Sequence, residues 1–420
     1  MDLSAVLSMV GPVSVATRDT PAQLHSGEAV HGYVKRVCFK TGPPELVGTE
    51  LEWLVAFADA PQDPVPIALL RRLLDPLPPP PNGSRITYEP GGQLELSSAP
   101  APGPSAAWHL LDADVAYVRR PLEEAGLVLL PTAIDPYRTP QRQLEHPRYT
   151  AMEAHFAAIG AAAGPVMMTS TAATQVNLDI GHDPADAARR WDLLHRVGPA
   201  LSAAFANSPV HAGTATGWKS ARQRVWQDLD PQRTHVCEGP DPAASWAEYA
   251  LDADLMLRRR PHDDWSMPPG VSFRAWLADA ADGPTTADLE YHLTTLFPPV
   301  RPRGWFEVRY VDALPLAWWP VPTAVLSVLL DDPEASEVAA GVATHDWGTA
   351  ARLGLSDPAI AASAGTLFAA ALTALARREE PALVDLVRGY ADTYVDRGRC
   401  PADDPLPLTF PLDAPSQEAR

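Results

Sequence analysis

LVGTELEWLV, residues 46–55, places two glutamates, Glu50 and Glu52, one residue apart inside an apolar run. Residues two apart on a β-strand point to the same face, so both carboxylates lie on one side of a strand whose other side carries Leu51 and Trp53. Burying a charge without a partner is strongly unfavourable. The segment therefore predicts a strand whose acidic face meets something cationic.

Three further segments repeat this alternation of polar and apolar residues: YEPGGQLELSS (88–98), STAATQVNLDIG (170–181) and RGWFEVRYVD (303–312). The polar residues that we place on the same sides of these strands are Glu89, Gln93, Glu95, Gln175, Asn177, Asp179, Glu307 and Arg309. A solvated sheet face is the ordinary explanation for any one such strand. Four acidic, amide-rich faces together favour bound cations, because clustered carboxylates repel one another.

Hard divalent cations such as Mg²⁺ take oxygen ligands and are often shared with substrate phosphates, so we expect about two or three Mg²⁺ ions that bridge ATP here. The predicted metal ligands are Glu50, Glu52, Glu89, Glu95, Glu307 and Gln175. The sequence contains no GxxxxGK[ST] motif and no protein-kinase signature set, so neither of those phosphate cradles is supported.

The overall charge excludes some partners. The formal net charge is -19 and the sequence pI is about 5.0, which argues against a nucleic-acid or anionic-membrane surface. An anionic substrate would need local arginines or metal ions. The three cysteines, Cys38, Cys237 and Cys400, form no CxxC pair and are expected to be reduced thiols in a cytoplasm.

No signal peptide is recognisable, and prolines interrupt the apolar run 313–330, which we interpret as a loop entering a buried helix. Other helices are predicted over 107–126, 149–164, 183–208, 357–380 and 381–398, with proline-rich breaks at 75–84 and 100–107. We expect one catalytic domain over 1–420: a sheet-bearing core (about 30–320), a helical part (about 321–400) and a loose tail (401–420). A monomer or weak homo-oligomer is expected.

Several of these stretches resemble the glutamate–cysteine ligases, in the branch shared by plant and many bacterial enzymes. The matching segments, which cover roughly 45–320, are GTELEW, EPGGQLELS, MMTSTAATQVNLD, FANSPV, WKSARQRVWQDLDPQRT and HLTTLFPPVRPRGWFEVRYVDALP. The resemblance implies an α+β, glutamine-synthetase-like fold, with a curved antiparallel sheet wrapped by helices. It also implies that ATP phosphorylates the γ-carboxylate of L-glutamate and that the amine of L-cysteine then displaces the phosphate.

The resemblance also implies roles for particular residues. Glu307 and Arg309 are expected to be catalytic, with Arg309 against the transferred phosphoryl group, and Gln175, Asn177 and Arg309 are expected to contact nucleotide. Arg222, Trp226 and Arg233 would build the substrate pocket, with Arg222 holding a glutamate carboxylate. Glu52→Gln and Glu307→Gln are then expected to lose activity severely with folding intact.

Two other functions stay open from the sequence. The chain could join glutamate to an amine other than cysteine, or it could be a non-catalytic metal-binding scaffold. The alanine-, arginine- and proline-rich composition resembles the actinobacterial branch of the family, in which γ-glutamylcysteine serves ergothioneine biosynthesis.

Overall fold

The computed structural model describes residues 22–43, 46–260, 264–279 and 282–406. Its strands are β1 (Leu46–Trp53), β2 (Val55–Phe57), β3 (Arg85–Tyr88), β4 (Leu94–Ser97), β5 (Ala101–Pro102), β6 (Leu127–Leu129), β7 (Ala173–Asp179), β8 (Val210–His211), β9 (Thr214–Ala215), β10 (Val300–Pro302) and β11 (Trp305–Asp312). Seven of them form one antiparallel sheet in the order β10-β11-β7-β1-β4-β3, with β5 paired to β1.

The strand register brings the predicted polar residues onto one face. Glu52 pairs with Glu95 across β1 and β4, Glu50 pairs with Gln175 across β1 and β7, and Glu307 of β11 pairs with Asn177. Residues directly opposite each other in a sheet share a face. The four predicted polar strand faces are therefore one continuous surface, in agreement with the alternation in the sequence.

The helices are α1 (Gly27–Tyr33), α2 (Ile67–Leu74), α3 (Gly103–Glu124), α4 (Pro147–Ala158), α5 (Gly164–Ser170), α6 (Pro184–Ala204), α7 (Ala221–Gln227), α8 (Pro231–Thr234), α9 (Pro242–Asp252), α10 (Phe273–Leu277), α11 (Thr286–Leu293), α12 (Pro320–Asp331), α13 (Pro333–Ala340), α14 (Trp347–Leu353), α15 (Pro358–Arg377) and α16 (Pro381–Thr393). Helices α3, α6 and α12 contact the sheet. The apolar residues of the strands, such as Leu51, Leu96 and Val176, are buried in two hydrophobic clusters with side chains of these helices.

Most predicted helices are confirmed with small shifts. Helices α6 and α15 begin one residue after Asp183 and Asp357, whose carboxylates accept hydrogen bonds from the first-turn amides. Helix α12, which is buried and begins at Pro320, confirms the loop entering a buried helix that was expected over 313–330. The predicted break at 100–107 is wrong beyond residue 102, because α3 already begins at Gly103 and Pro104 fits its first turn.

Two other expectations differ from the structure. The helix predicted over 149–164 is shorter than expected: α4 ends at Ala158, just before Gly160, where φ is +73°, and α5 begins only at Gly164. The predicted loose tail is packed at its start: the Ala402 amide donates to the Ala206 carbonyl at 3.0 Å, and Pro401–Asp403 is a short 3₁₀ turn. Residues 1–21 and 407–420 lie outside the described residues.

One described helix, α15, is long and apolar enough to cross a membrane by length and composition alone. Half of its apolar window is buried inside the protein, where Ile360, Leu367 and Phe368 join the main hydrophobic cluster. This is the pattern of a core helix.

Candidate active site

The polar face of the sheet forms the floor of a cleft of about 880 Å³. Helices α4, α5 and α7 and the segment before β10 supply other walls. Most predicted site residues line this cleft: Glu50, Glu52, Glu89, Glu95, Gln175, Asn177, Trp226, Glu307 and Arg309. The structure thus brings together residues that are separated by more than two hundred positions in the chain.

Glu50 and Glu52 hold fixed positions at one end of the cleft. Glu52 accepts hydrogen bonds from the Ala173 amide and from Nε2 of Gln175, both at 2.8 Å, and Glu50 accepts one from Nδ2 of Asn177 at 2.9 Å. Burial, followed by the charges of neighbouring glutamates, raises the pKa of both carboxyl groups to about 7. The cationic side chains nearby therefore do not fully compensate the negative charge of these two carboxylates.

Glu89 and Glu95 complete this acidic end through the β3–β4 hairpin. Its tight turn needs glycine, because a Cβ on Gly91 would lie 2.2 Å from the Thr169 carbonyl oxygen. Burial and the charges of Glu95 and Glu52 raise the pKa of Glu89 well above its usual range. The four glutamates Glu50, Glu52, Glu89 and Glu95 are hereafter called the acidic end.

The opposite end of the cleft is cationic. Glu307 is fully buried and accepts hydrogen bonds from Arg301 at 2.6 and 3.1 Å, from Arg303 at 3.1 Å and from Arg309 at 3.2 Å. Burial alone would raise the pKa of Glu307, but the three guanidinium charges outweigh it and hold the pKa well below its usual range. Arg301, Arg303 and Arg309 around Glu307 are hereafter called the arginine end.

Gln175 joins the two ends. Its amide nitrogen donates to Glu52 at 2.8 Å, and its amide oxygen accepts from Nη1 of Arg309 at 2.6 Å. Arg309 itself lies at a bulge of β11, between Val308 and Val311, where the register with β7 shifts, and its amide donates to the carbonyl of Pro299, the residue before β10. Its guanidinium lies on the floor of the cleft, where it donates to Gln175 and Glu307.

The three residues predicted for the substrate pocket occupy different places. Trp226 lines the cleft, with the guanidinium carbons of Arg222 and Arg309 at 5.7 and 5.6 Å from its ring centre. Arg222 is buried behind it, donates to the Arg309 carbonyl at 2.9 Å and has no hydrogen-bond partner on Nη1. Arg233 is fully buried, and its Nε lies 2.9 Å from Oδ2 of Asp230. It does not line the cleft, so its position is that of a structural ion pair.

Sequence reasoning missed four arginines that line the cleft: Arg85, Arg148, Arg301 and Arg303. Arg301 and Arg303 are two apart, and the spacing rule that identified Glu307 and Arg309 could have found them. Arg148 donates to the side chain and the carbonyl of Thr294 at 2.9 and 3.0 Å, and its charge partly offsets the raised pKa of Glu89. No local pattern in the sequence singles out Arg148.

The predicted metal ligands are close together, but they are not arranged as a finished metal site. Among the described residues, no three or more His, Cys, Asp or Glu side chains form a group that could hold a metal ion as they stand. Glu307 is occupied by arginines and the Gln175 oxygen by Arg309. Metal binding by these two residues therefore requires a rearrangement of the arginine end.

Comparison with known proteins identifies the family. The model of glutamate–cysteine ligase family 2 matches residues 46–413. The chain belongs to this family. The chain is 42% identical over 405 residues to glutamate–cysteine ligase EgtA of Mycolicibacterium smegmatis, covering 91% of this chain and 92% of that enzyme. It is 32% identical over 254 residues to the chloroplastic glutamate–cysteine ligase of Medicago truncatula, covering 56% of this chain and 49% of that enzyme.

A solved structure supports the fold of this glutamate–cysteine ligase family member. The glutamate–cysteine ligase of Francisella tularensis in complex with AMP superposes with a TM-score of 0.51 at 12% identity, covering 86% of this chain and 84% of that one. The predicted α+β class, with helices around an antiparallel sheet, is confirmed. The resemblance to the plant and bacterial ligases, stated from the sequence segments, is confirmed as well.

Proposed function

We propose that this protein uses ATP to join the γ-carboxylate of L-glutamate to the amine of L-cysteine, giving γ-glutamylcysteine. The observation that carries the proposal is the division of one cleft into an acidic end and an arginine end on a single sheet face. Such a division suits phosphoryl transfer, which relies on positioning and charge stabilisation rather than on a protein nucleophile.

The acidic end has the chemistry of a Mg²⁺ site. Its carboxylates are undercompensated, as the raised pKa values of Glu50, Glu52 and Glu89 indicate, and Oδ1 of Asn177 is buried without a hydrogen-bond partner. Oxygen ligands whose negative charge is not compensated by the protein suit a hard divalent cation. Glu50, Glu52, Glu89 and Glu95 would hold the metal, with Glu307 joining after it is freed, and bound Mg²⁺ would neutralise charge on the ATP phosphates.

The other residues have separate tasks in two steps. A γ-carboxylate oxygen of glutamate attacks the terminal phosphorus of ATP and ADP leaves; the cysteine amine then attacks the acyl carbon, loses a proton and expels phosphate. Arg309 faces the transferred phosphoryl group, because its rigid fork suits phosphate oxygens. Arg222, whose Nη1 lies 3.7 Å from Oδ1 of Asp312 but makes no hydrogen bond, is proposed to bind a glutamate carboxylate beside Trp226.

The arginine end opens onto a surface suited to a purine. Two of the exposed large apolar side chains among the described residues, Leu46 (47% exposed) and Trp305 (37% exposed), line the cleft there. Stacking of a base on an aromatic ring contributes about 1–3 kcal/mol. We therefore place the adenine of ATP against Trp305, with its phosphates directed toward Arg309.

The decisive experiment supplies purified protein with Mg²⁺, ATP and glutamate, with and without cysteine, and identifies the products by mass spectrometry. Formation of γ-glutamylcysteine and ADP only when cysteine is present supports the proposal. If serine, 2-aminobutyrate or a polyamine reacts faster than cysteine, the protein is a sister glutamate–amine ligase. ATP that stays intact under every condition would leave a metal-binding scaffold.

The name of the mycobacterial relative, EgtA, and the match over nearly the full length of both chains support a role in ergothioneine biosynthesis. A cytoplasmic location accords with ATP and reduced cysteine as substrates. All three cysteines of the chain are free thiols and buried.

A further inference from the structure

Glu307 has no free position for a metal ion. Its two carboxylate oxygens receive four N–H groups: two from Arg301, one from Arg303 and one from Arg309. A carboxylate offers about four acceptor positions, so all of them are taken. If Glu307 binds Mg²⁺, as in the function proposed above, at least one guanidinium must leave it.

The three arginines differ in how firmly they are held. Arg301 makes both contacts of a fork with Glu307, also donates to the Leu296 carbonyl at 3.1 Å, and has a side chain only 10% exposed. Arg309 is anchored on Gln175 at 2.6 Å, with a side chain 12% exposed. Arg303 has one hydrogen bond to Glu307, at 3.1 Å, and its side chain is 42% exposed. Arg303 is therefore the residue that can leave.

The position of Arg303 also allows its guanidinium to reach a ligand in the cleft. It lies at the tip of the β10–β11 hairpin, next to Gly304 with φ of +86°, and its guanidinium carbon is 5.3 Å from the ring centre of Trp305. It lines the same cleft as Trp305 and Glu307. Arg303 is partly exposed and makes a single hydrogen bond to Glu307, whereas a phosphate accepts the guanidinium fork at two oxygens.

We propose that Arg303 is a movable phosphate-binding residue, held on Glu307 in the free protein and transferred to the polyphosphate of a nucleotide when a metal ion takes its place on Glu307. This inference rests on the proposed function, because it requires metal and nucleotide in the cleft. It makes Arg303 a competitor of the metal before nucleotide binds and a partner of the nucleotide afterwards. Removal of Arg303 should therefore have opposite effects on the two ligands.

Calorimetric titrations of wild type and Arg303→Gln test this, first with Mg²⁺ alone and then with ADP in the presence of saturating Mg²⁺. Arg85→Gln is the matched control, since Arg85 is exposed and lines the same cleft without a recorded contact to Glu307. We expect Arg303→Gln to bind Mg²⁺ about threefold more tightly and Mg-ADP about tenfold more weakly, the latter corresponding to one charge-assisted hydrogen bond. Arg303→Lys, which keeps the charge but not the fork, should weaken Mg-ADP less.

The outcomes separate the inference from the proposed function. If Arg303→Gln changes both affinities no more than Arg85→Gln does, or shifts both in the same direction, the transfer of Arg303 is overturned while the ligase proposal stands. If wild type binds neither Mg²⁺ nor Mg-ADP, the proposed function fails and the inference falls with it. Because Arg303 is exposed, its substitution is expected to leave folding intact, which circular dichroism checks.

Discussion

Binding of Mg²⁺ to the acidic end should release protons, and the contribution of Glu50 and Glu52 to this release can be worked out. Each has a pKa raised to about 7, first by burial and then by neighbouring carboxylates. At about pH 6.5 such a group is roughly three-quarters protonated, and at about pH 8.5 it is almost fully ionised. A metal ion needs the ionised form, so the protons that Glu50 and Glu52 release on binding should fall by about 1.5 between these two pH values.

Titration of the nucleotide-free protein with Mg²⁺, in buffers of different ionisation enthalpy, measures this number directly. Glu52→Gln removes one of the two groups and should roughly halve the pH-dependent part of the release. Glu124→Gln is the control, because Glu124 is exposed and forms a surface ion pair with Arg120. A wild-type proton release that does not change with pH, or a Glu52→Gln protein that behaves like Glu124→Gln, would refute the metal assignment.

The same pKa shifts fix the sign of the stability change with pH. A carboxyl group with a folded-state pKa above its unfolded value stabilises the fold below about pH 4.5, and this contribution is lost as the pH rises through about 7. Each shift corresponds to about 3 kcal/mol, as an order of magnitude. The metal-free protein should therefore melt at lower temperature near pH 8 than near pH 5, and Mg²⁺ should raise the melting temperature more at the higher pH.

Four further outcomes are expected. Glu52→Gln should lower kcat by at least about a hundredfold with the melting temperature kept or raised, because it removes a metal ligand and an undercompensated charge; steady-state rates and thermal melts check both. Arg222→Ala should raise the KM for glutamate by about tenfold or more with little effect on ATP binding, and an equal loss for both substrates would contradict its placement. Trp305→Ala should weaken Mg-ADP by about tenfold in calorimetry. Dithiothreitol should leave activity unchanged, because all three cysteines are buried; a large reversible change would contradict this.

The structure also changes one expectation about Glu307. From the sequence, Glu307→Gln should lose activity severely and leave folding intact. In the structure the Glu307 charge balances three guanidinium groups in a buried setting, and removing one partner of a buried ion pair is strongly destabilising. Loss of activity in that variant would therefore not distinguish a metal ligand from a structural anion, and Glu52 is the better residue to test.

Local rules account for what the sequence predicted. The alternation of side chains along a strand needs no tertiary information, so Glu50, Glu52, Glu95 and Glu307 could be assigned to one face before the strand order was known. The order of the strands and the bulge at Arg309 depend on packing, and they decide which of these groups touch. Arg222 shows what local rules do not give: it was predicted to build the substrate pocket, but the direction of its guanidinium is set by Asp312 and the Arg309 carbonyl.

Gln175 explains how opposite charges are kept apart within one cleft. The Gln175 amide donates to Glu52 and accepts from Arg309 at the same time without carrying a charge. A carboxylate at this position would repel Glu52, and a lysine would draw the carboxylate away from a metal ion. Without a neutral spacer, Arg309 could pair with Glu52 and cancel the charge that each end needs for its own ligand. The amide therefore leaves the carboxylates of the acidic end available for cations and the guanidinium groups of the arginine end available for phosphate. This separation of charge suits phosphoryl transfer from a metal-bound nucleotide.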